Sequence, residues 1–475
     1  MPKIILVSAA AERVNKTISR KQPAPFDEIT GGLVLKVLMS AFACAPGIGS
    51  EAGVGWNWAV EAARLGHEVV VLTRPRFRAA IEAATAAPDA AAGALRVLYL
   101  DLPAGLVAAL GRGLGALAGH YAHYCLWQAL AVRRACRLHR ERRFDLVHHL
   151  TYVTVRFPSF MGLVGAPFVF GPGSGGEAIP AALRAALPLR ARAFEAFRDL
   201  ANLFVRVDPL ARFCLGRADL LLVATAETLR VLPRRLARRA CVAPAIGCAP
   251  VGPAPPHAAA RAAAGGAPLR ILCAGRLGPS KGLGLALAAT AAARRRGLAC
   301  SLEVVGDGPE AARLKALAVT LGLADALWRP RLPQDALLVA LAEHDVFLSP
   351  TLRESGGMAI LEALGAGLPV VCLKASGPGL LVDASCGVAV EPSGGIRPTV
   401  SGLAAALVRL ADPELRARLS EGARRRAEAF AWPSVVGLVY GPGGLAEGLL
   451  AAGPAWGALP LPAAARAGAR RAGTP

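Results

Sequence analysis

Two series of alternating short strands and longer helices, separated by a stretch that suits neither, limit what this chain can fold into more than any other feature. Val37–Phe42, Glu68–Thr73, Arg96–Leu100, Phe144–Leu150, Pro167–Phe170 and Leu220–Ala224 are short apolar runs of the strand type, while Gly55–Leu65 and Tyr121–Arg140 have helical spacing. This rhythm implies a parallel sheet covered by helices on both faces. The Pro-, Ala- and Gly-rich stretch Pro244–Pro268 breaks it, as linker composition does. The alternation resumes with strands at Ile271–Ala274, Ser301–Val305, Val346–Ser349 and Pro369–Leu373 and helices at Gly284–Arg296, Glu310–Leu321, Asp335–Glu343 and Pro413–Phe430. At 475 residues the chain exceeds one ordinary core. The expected fold is α/β, with two Rossmann-like domains facing a central cleft. The expected division is an extension at 1–34, a first domain at 35–245, a linker at 246–268, a second domain at 269–430 and a tail at 431–475 that lacks a clear helix returning to the first domain and is loosely ordered beyond about Gly443. In open α/β sheets ligands bind beyond the carboxyl ends of the strands, so functional loops belong there.

Composition narrows the class. Hydrophobic residues make up 54% and charged ones 18%, which excludes a disordered chain. The first 34 residues stand apart, holding three of the seven lysines and no sustained apolar pattern from Lys16 to Thr30. The ten cysteines are scattered without a CxxC pair and several sit inside apolar runs, so they read as buried thiols in a reducing compartment. The eight histidines form no ligand-spaced cluster, and no structural zinc is expected.

The formal charge of +21 favours anionic surfaces, lipid headgroups or nucleic acid alike. No run reaches the roughly eighteen uninterrupted apolar residues of a membrane span, and Lys3–Val7 is too short for a signal-peptide core. Leu102–Val132, interrupted by Arg112, His120, His123 and Gln128, suits a buried helix pair. It also suits a surface resting on a membrane, helped by Arg133, Arg134, Arg137, Arg140, Arg142 and Arg143. The expectation is a cytoplasmic protein with peripheral contact to an anionic membrane, and no nucleic-acid partner.

Three loops carry the chemistry. The first, Cys44-Ala45-Pro46-Gly47-Ile48-Gly49-Ser50-Glu51-Ala52-Gly53, follows the first strand and opens a helix. Its glycines let backbone N–H groups approach a phosphate at a helix start. Gly47-x-Gly49-x-x-Ala52 also fits a loose dinucleotide fingerprint. The second strand ends at Thr73-Arg74 with no acidic residue for a ribose hydroxyl, which speaks against NAD; Arg74 and Arg76 leave NADP open. The second loop, Gly275-Arg276-Leu277-Gly278-Pro279-Ser280-Lys281-Gly282, places two cations five residues apart between glycines. Such a pair can clamp a diphosphate, Arg through its planar fork and Lys as a point charge. The third runs from Pro350 to Pro369 and holds Glu354, Gly356, Gly357, Met358 and Glu362. A helix starting near Gly357 presents free N–H groups to an anion or a sugar hydroxyl, with Glu362 one turn on and facing back.

Together with Val305-Gly306-Asp307-Gly308-Pro309, these motifs resemble family 4 of the retaining glycosyltransferases, which have the GT-B fold. The resemblance spans about Leu35 to Phe430 and rests on Arg276-x4-Lys281, the Gly306 loop and Glu354-x7-Glu362 in the family's order and approximate spacing. It implies that Arg276 and Lys281 hold the diphosphate of a nucleotide-sugar donor and that Glu362 binds ribose hydroxyls. Glu354 would contact the donor sugar near its anomeric centre, with the Gly356-Gly357-Met358 backbone on sugar hydroxyls or phosphate. In the first half, Ser50-Glu51-x-Gly53-Val54-Gly55-Trp56-Asn57-Trp58, His148-His149-x-Thr151, Pro158-Ser159-Phe160 and Gly171-Pro172-x2-Gly175-Gly176-Glu177 look like a bacterial branch associated with surface polysaccharides. Gly49, Glu51 and Gly306 join the expected substrate contacts. Family members often carry a histidine near the reacting sugar, which makes His149, then His148, the candidate; a core histidine at a strand end is the alternative. The acceptor implied is a lipid-linked or growing oligosaccharide. No Asp-x-Asp is present, so neither metal nor other cofactor is expected. An NADP-dependent oxidoreductase and a catalytically silent scaffold of the same fold stay as rival classes.

Overall fold

A computed structural model of the chain describes residues 33–47, 51–86, 95–251, 267–392 and 394–452. The extension at 1–34, apart from Leu33 and Val34, lies outside these residues, as do Gly49, most of the linker and the tail beyond 452. Two compact units form. The first comprises residues 1–176, 201–245 and 432–475, the second 177–200 and 246–431.

The first unit is built on seven strands: β1 (Lys36–Ser40), β2 (Glu68–Thr73), β3 (Leu95–Tyr99), β4 (Leu146–His149), β5 (Phe168–Gly173), β6 (Leu220–Val223) and β7 (Ala240–Val242). Their order is β3-β2-β1-β4-β5-β6-β7, and every pair is parallel. β1, β2, β4, β5 and β6 are almost wholly buried, which explains their apolar runs. The second unit holds β8 (Leu269–Ala274), β9 (Cys300–Val305), β10 (Leu327–Arg329), β11 (Val346–Ser349), β12 (Val370–Leu373) and β13 (Gly387–Val390), in the order β10-β9-β8-β11-β12-β13 and again all parallel. In each sheet the order reverses beside the first strand, between β1 and β4 and between β8 and β11. Beyond the carboxyl ends of the strands at such a reversal is where open α/β sheets take their ligands.

The second unit also takes residues from the middle of the sequence: Ile179, Leu183 and Leu187 join its core. The expected tail is a correction. Trp432–Tyr440 and Leu445–Ala452 are helices, and the first buries Trp432, Val435, Val436, Val439 and Tyr440. It packs on the helix Glu51–Arg64, and His67 Nε2 meets the Tyr440 carbonyl at 2.8 Å. The chain thus returns to the first unit after Ala431. Trp432–Ala451 is long and apolar enough to cross a bilayer by length and composition, but Gly441–Gly444 breaks it into two helices and its apolar side chains serve the core.

Residues 104–142 form a long helix bent at Gly115, whose φ is 75°. Beyond the bend Tyr124, Trp127, Ala131, Ala135 and Leu138 enter the core, while Arg133, Arg134, Arg137 and Arg140 face outward. This half is the buried helix of the two expectations for the stretch. All ten cysteines are free thiols, seven of them buried.

Candidate functional site

The site is assembled from the loops after β8, β9 and β11 of the second unit. After β8 the chain turns at Gly275 and runs through Arg276, whose side chain is exposed, to a short 3-10 turn ending at Lys281. The β9 loop is laced to it: the Leu277 N–H donates to the Asp307 carbonyl at 2.8 Å and the Gly275 N–H to Val305 at 3.0 Å. This approach needs glycine. A Cβ on Gly306, whose φ is +143°, would lie 1.9 Å from the Gly275 carbonyl oxygen. The β11 loop closes on the other side, with the Leu352 N–H donating to the Ser280 carbonyl at 2.8 Å. A Cβ on Gly282 would stand 2.0 Å from the Pro350 carbonyl oxygen.

This lacing brings Lys281 and Glu354 into an ion pair, each about one-quarter to one-third exposed. The loop beneath them is held from behind, since the Gly377 N–H donates to the Glu354 carbonyl at 2.8 Å. Gly357, at φ 118°, starts the helix Met358–Gly365, and the first N–H groups of a helix have no partner within it. Gly356 packs against Ile246 from the start of the expected linker. One turn along, half-buried Glu362 accepts from Gln334 Nε2 at 3.3 Å. Burial pushes the Glu362 carboxyl above the ordinary carboxylate range, because the charged form loses water there. The second unit therefore gathers Arg276, Lys281, Gly306, Glu354, Gly356, Gly357, Met358 and Glu362 on adjoining loops at one sheet edge.

Three participants had no clear mark in the sequence. Gln334 opens a helix that nothing ties to Glu362 by spacing. Gly377 lies beyond the third loop. Arg353 pairs at 3.0 Å with Glu195, which is buried and 158 residues away.

The first-unit candidates have different surroundings. Glu51 starts the helix Glu51–Arg64 and its carboxylate accepts from the Tyr152 N–H at 2.9 Å, tying the β1 loop to the β4 loop. Gly49 is outside the described residues. His148 and His149 are fully buried at the end of β4. His148 contacts the Tyr440 hydroxyl at 2.8 Å and the Gly171 carbonyl at 2.7 Å. His149 contacts the Tyr124 hydroxyl at 3.0 Å. Burial lowers His148 to about 4 and His149 to about 3, so both are neutral, the state of core histidines. Arg74, a candidate for a 2′-phosphate, is buried instead, with its Nε on the Phe42 carbonyl at 2.8 Å and its guanidinium 3.7 Å over the Phe42 ring.

Residues 260–426, which contain all the second-unit loops just described, match the model of the family Glycosyl transferases group 1. Among curated proteins, the chain is 35% identical over 182 residues to a D-inositol 3-phosphate glycosyltransferase of Acidothermus cellulolyticus, a match covering 36% of this chain and 40% of that protein. It is 33% identical over 154 residues to the amylovoran biosynthesis glycosyltransferase AmsK of Erwinia amylovora, covering 31% of this chain and 37% of that protein. The chain thus spans less than half the length of either relative. Among solved structures, Anabaena HepE in complex with UDP aligns at a TM-score of 0.53 and 17% identity, over 88% of this chain and 100% of that one. Sucrose-phosphate synthase from Thermosynechococcus elongatus aligns at 0.53 and 18%, over 85% and 96%. At that identity the likeness is one of fold: two parallel-sheet α/β domains of the GT-B kind.

Proposed function

We propose that the protein is a family 4 retaining glycosyltransferase that moves a sugar from a nucleotide-diphosphate sugar to a lipid-linked or growing polysaccharide acceptor. The observation that carries this is the convergence of Arg276, Lys281, Glu354 and Glu362 on laced loops inside the segment matching the group 1 family model. Arg276 and Lys281 hold the donor diphosphate, and Glu362 accepts from the ribose hydroxyls. Glu354 orients Lys281 and contacts the sugar, whose hydroxyls also meet the Gly356-Gly357-Met358 backbone. The anomeric C–O bond breaks with its electron pair going to the diphosphate, where the two cations stabilise the charge as it develops. The acceptor oxygen bonds to the anomeric carbon on the same face and its proton passes to the departing phosphate oxygen, so no strong protein base is required. The cations take the part a metal has elsewhere, and turnover is independent of added divalent ions.

The acceptor class follows the relative named for amylovoran biosynthesis. A lipid-linked acceptor calls for peripheral contact with the cytoplasmic face of a membrane, which the +21 charge supports.

The test is titration of the full chain with UDP- and GDP-sugars and with NADPH. A nucleotide sugar should bind and raise the melting temperature by mass action. In Lys281→Ala turnover should fall more than affinity does. Binding of NADPH with no response to any nucleotide sugar would overturn the proposal.

A further inference from the structure

The helix Leu189–Phe204 is turned inside out. Its inward face is polar: buried Glu195 pairs with Arg353 and Arg198, Asp199 with Arg184 at 2.6 Å, and the Arg156 guanidinium donates to the buried Asn202 side chain. Its outward face is apolar. Leu189 is 77% exposed, Phe197 65%, Leu200 53% and Phe204 58%, and these positions recur at the spacing that puts them on one stripe of a helix. Single exposed hydrophobes need no explanation, but a continuous aromatic and aliphatic stripe does.

The charges around the stripe are of one sign. Arg190 and Arg192 are exposed along it. The acidic residues of the same segment are taken up within the protein: Glu195 and Asp199 in the ion pairs above, and Asp208 in capping the following helix through the Leu210 and Ala211 N–H groups. A second copy of the chain docked on this face would bring arginines against arginines. An anionic lipid surface would neutralise them while taking up the phenylalanines and leucines, which is how interfacial helices bind.

We propose that the outward face of the helix Leu189–Phe204 docks the protein on anionic lipid, its apolar side chains at the headgroup–acyl boundary and its arginines on the headgroup phosphates. The proposal builds on the peripheral contact suggested above and locates it on this helix rather than on the basic run Arg133–Arg143.

The experiment is flotation of the full-length protein with mixed phosphatidylcholine–phosphatidylglycerol vesicles and with pure phosphatidylcholine vesicles, at low and high salt. The comparison variants are Phe197→Ser/Phe204→Ser and Arg133→Gln/Arg134→Gln/Arg137→Gln. The wild type should float with the anionic vesicles and be released by salt. The double serine variant should lose about tenfold or more of its partition while keeping its melting temperature, since its altered side chains contact water. The glutamine variant should bind more nearly as the wild type does. A wild type that stays soluble at low salt overturns the proposal, as does a double serine variant that floats unchanged. A wild type that is a dimer, ignores both vesicles and becomes monomeric on the double substitution also overturns it, in favour of a second copy as the occupant. Nucleotide-sugar binding measured on the same samples reads the donor site separately, so its failure is distinct from failure of the docking face.

Discussion

At the scale of single residues, Glu362 is where burial and function pull against each other. Its carboxyl is held above the ordinary range by lost hydration, yet the proposed role needs it ionised. Between the ordinary and the raised value the folded protein holds a proton that the unfolded chain has released, so this residue's contribution to stability falls as pH rises through that window. Glu362→Gln removes the buried charge, and the variant should melt no lower than the wild type at neutral pH. Donor affinity should drop roughly ten- to a hundredfold, the worth of a charged hydrogen bond of about 1.5–3 kcal/mol. In the wild type affinity should weaken as pH is lowered into the same window, and in the variant it should be flat. Calorimetric titration across pH beside melting curves measures both, and a variant with full affinity or an unchanged pH profile would remove Glu362 from the site.

At the scale of elements, glycine marks where loops must touch. Gly306 has a backbone that L side chains rarely adopt and no room for a Cβ, whereas Gly284, on the helix Leu283–Arg295, would meet only Leu317 Cδ2 at 3.7 Å. Gly306→Ala should cost about 1–3 kcal/mol and weaken donor binding by unlacing the β8 and β9 loops. Gly284→Ala should be neutral or stabilise by about 0.4–1 kcal/mol. Melting temperature and donor affinity of the pair check this. The same contrast explains what the sequence displayed. The long buried strands and the Gly-bracketed cations were legible because both leave dense local patterns. β7 and β10 were not, since three-residue, partly exposed strands show no period. The helix Leu189–Phe204 has a clear apolar period, but nothing local says that the stripe points outward; that depends on Arg156 and Arg353, distant in sequence, claiming its polar face. Glu354 and Glu362 could be singled out from Gly357, while Gln334 and Gly377 could not, because their roles come only from the fold around them.

At the scale of the whole molecule, the return of the chain at Trp432 matters most. Five large or branched side chains on Trp432–Tyr440 are buried, each worth about 1.5–3 kcal/mol, a sum comparable to the entire stability of an ordinary domain. A chain ended after Ala431 should therefore expose the helix Glu51–Arg64 and lose the cooperative melting of the first unit, while the second keeps its own fold and the proposed donor loops. Limited proteolysis mapped by mass spectrometry distinguishes the two units, and a truncated chain as resistant as the full one would contradict this packing. The same return carries a consequence for biosynthesis. A ribosome delivers β1 through β7 long before Trp432 emerges, so the unit begun first is completed last. Its nascent sheet must wait, with the apolar side of Glu51–Arg64 bare, through the synthesis of residues 246–431. That interval is when such surfaces aggregate or recruit chaperones. The yield of native protein should then depend on how fast residues 246–431 are translated, a quantity set by codon choice in a stretch that contributes almost nothing to the first unit's own core.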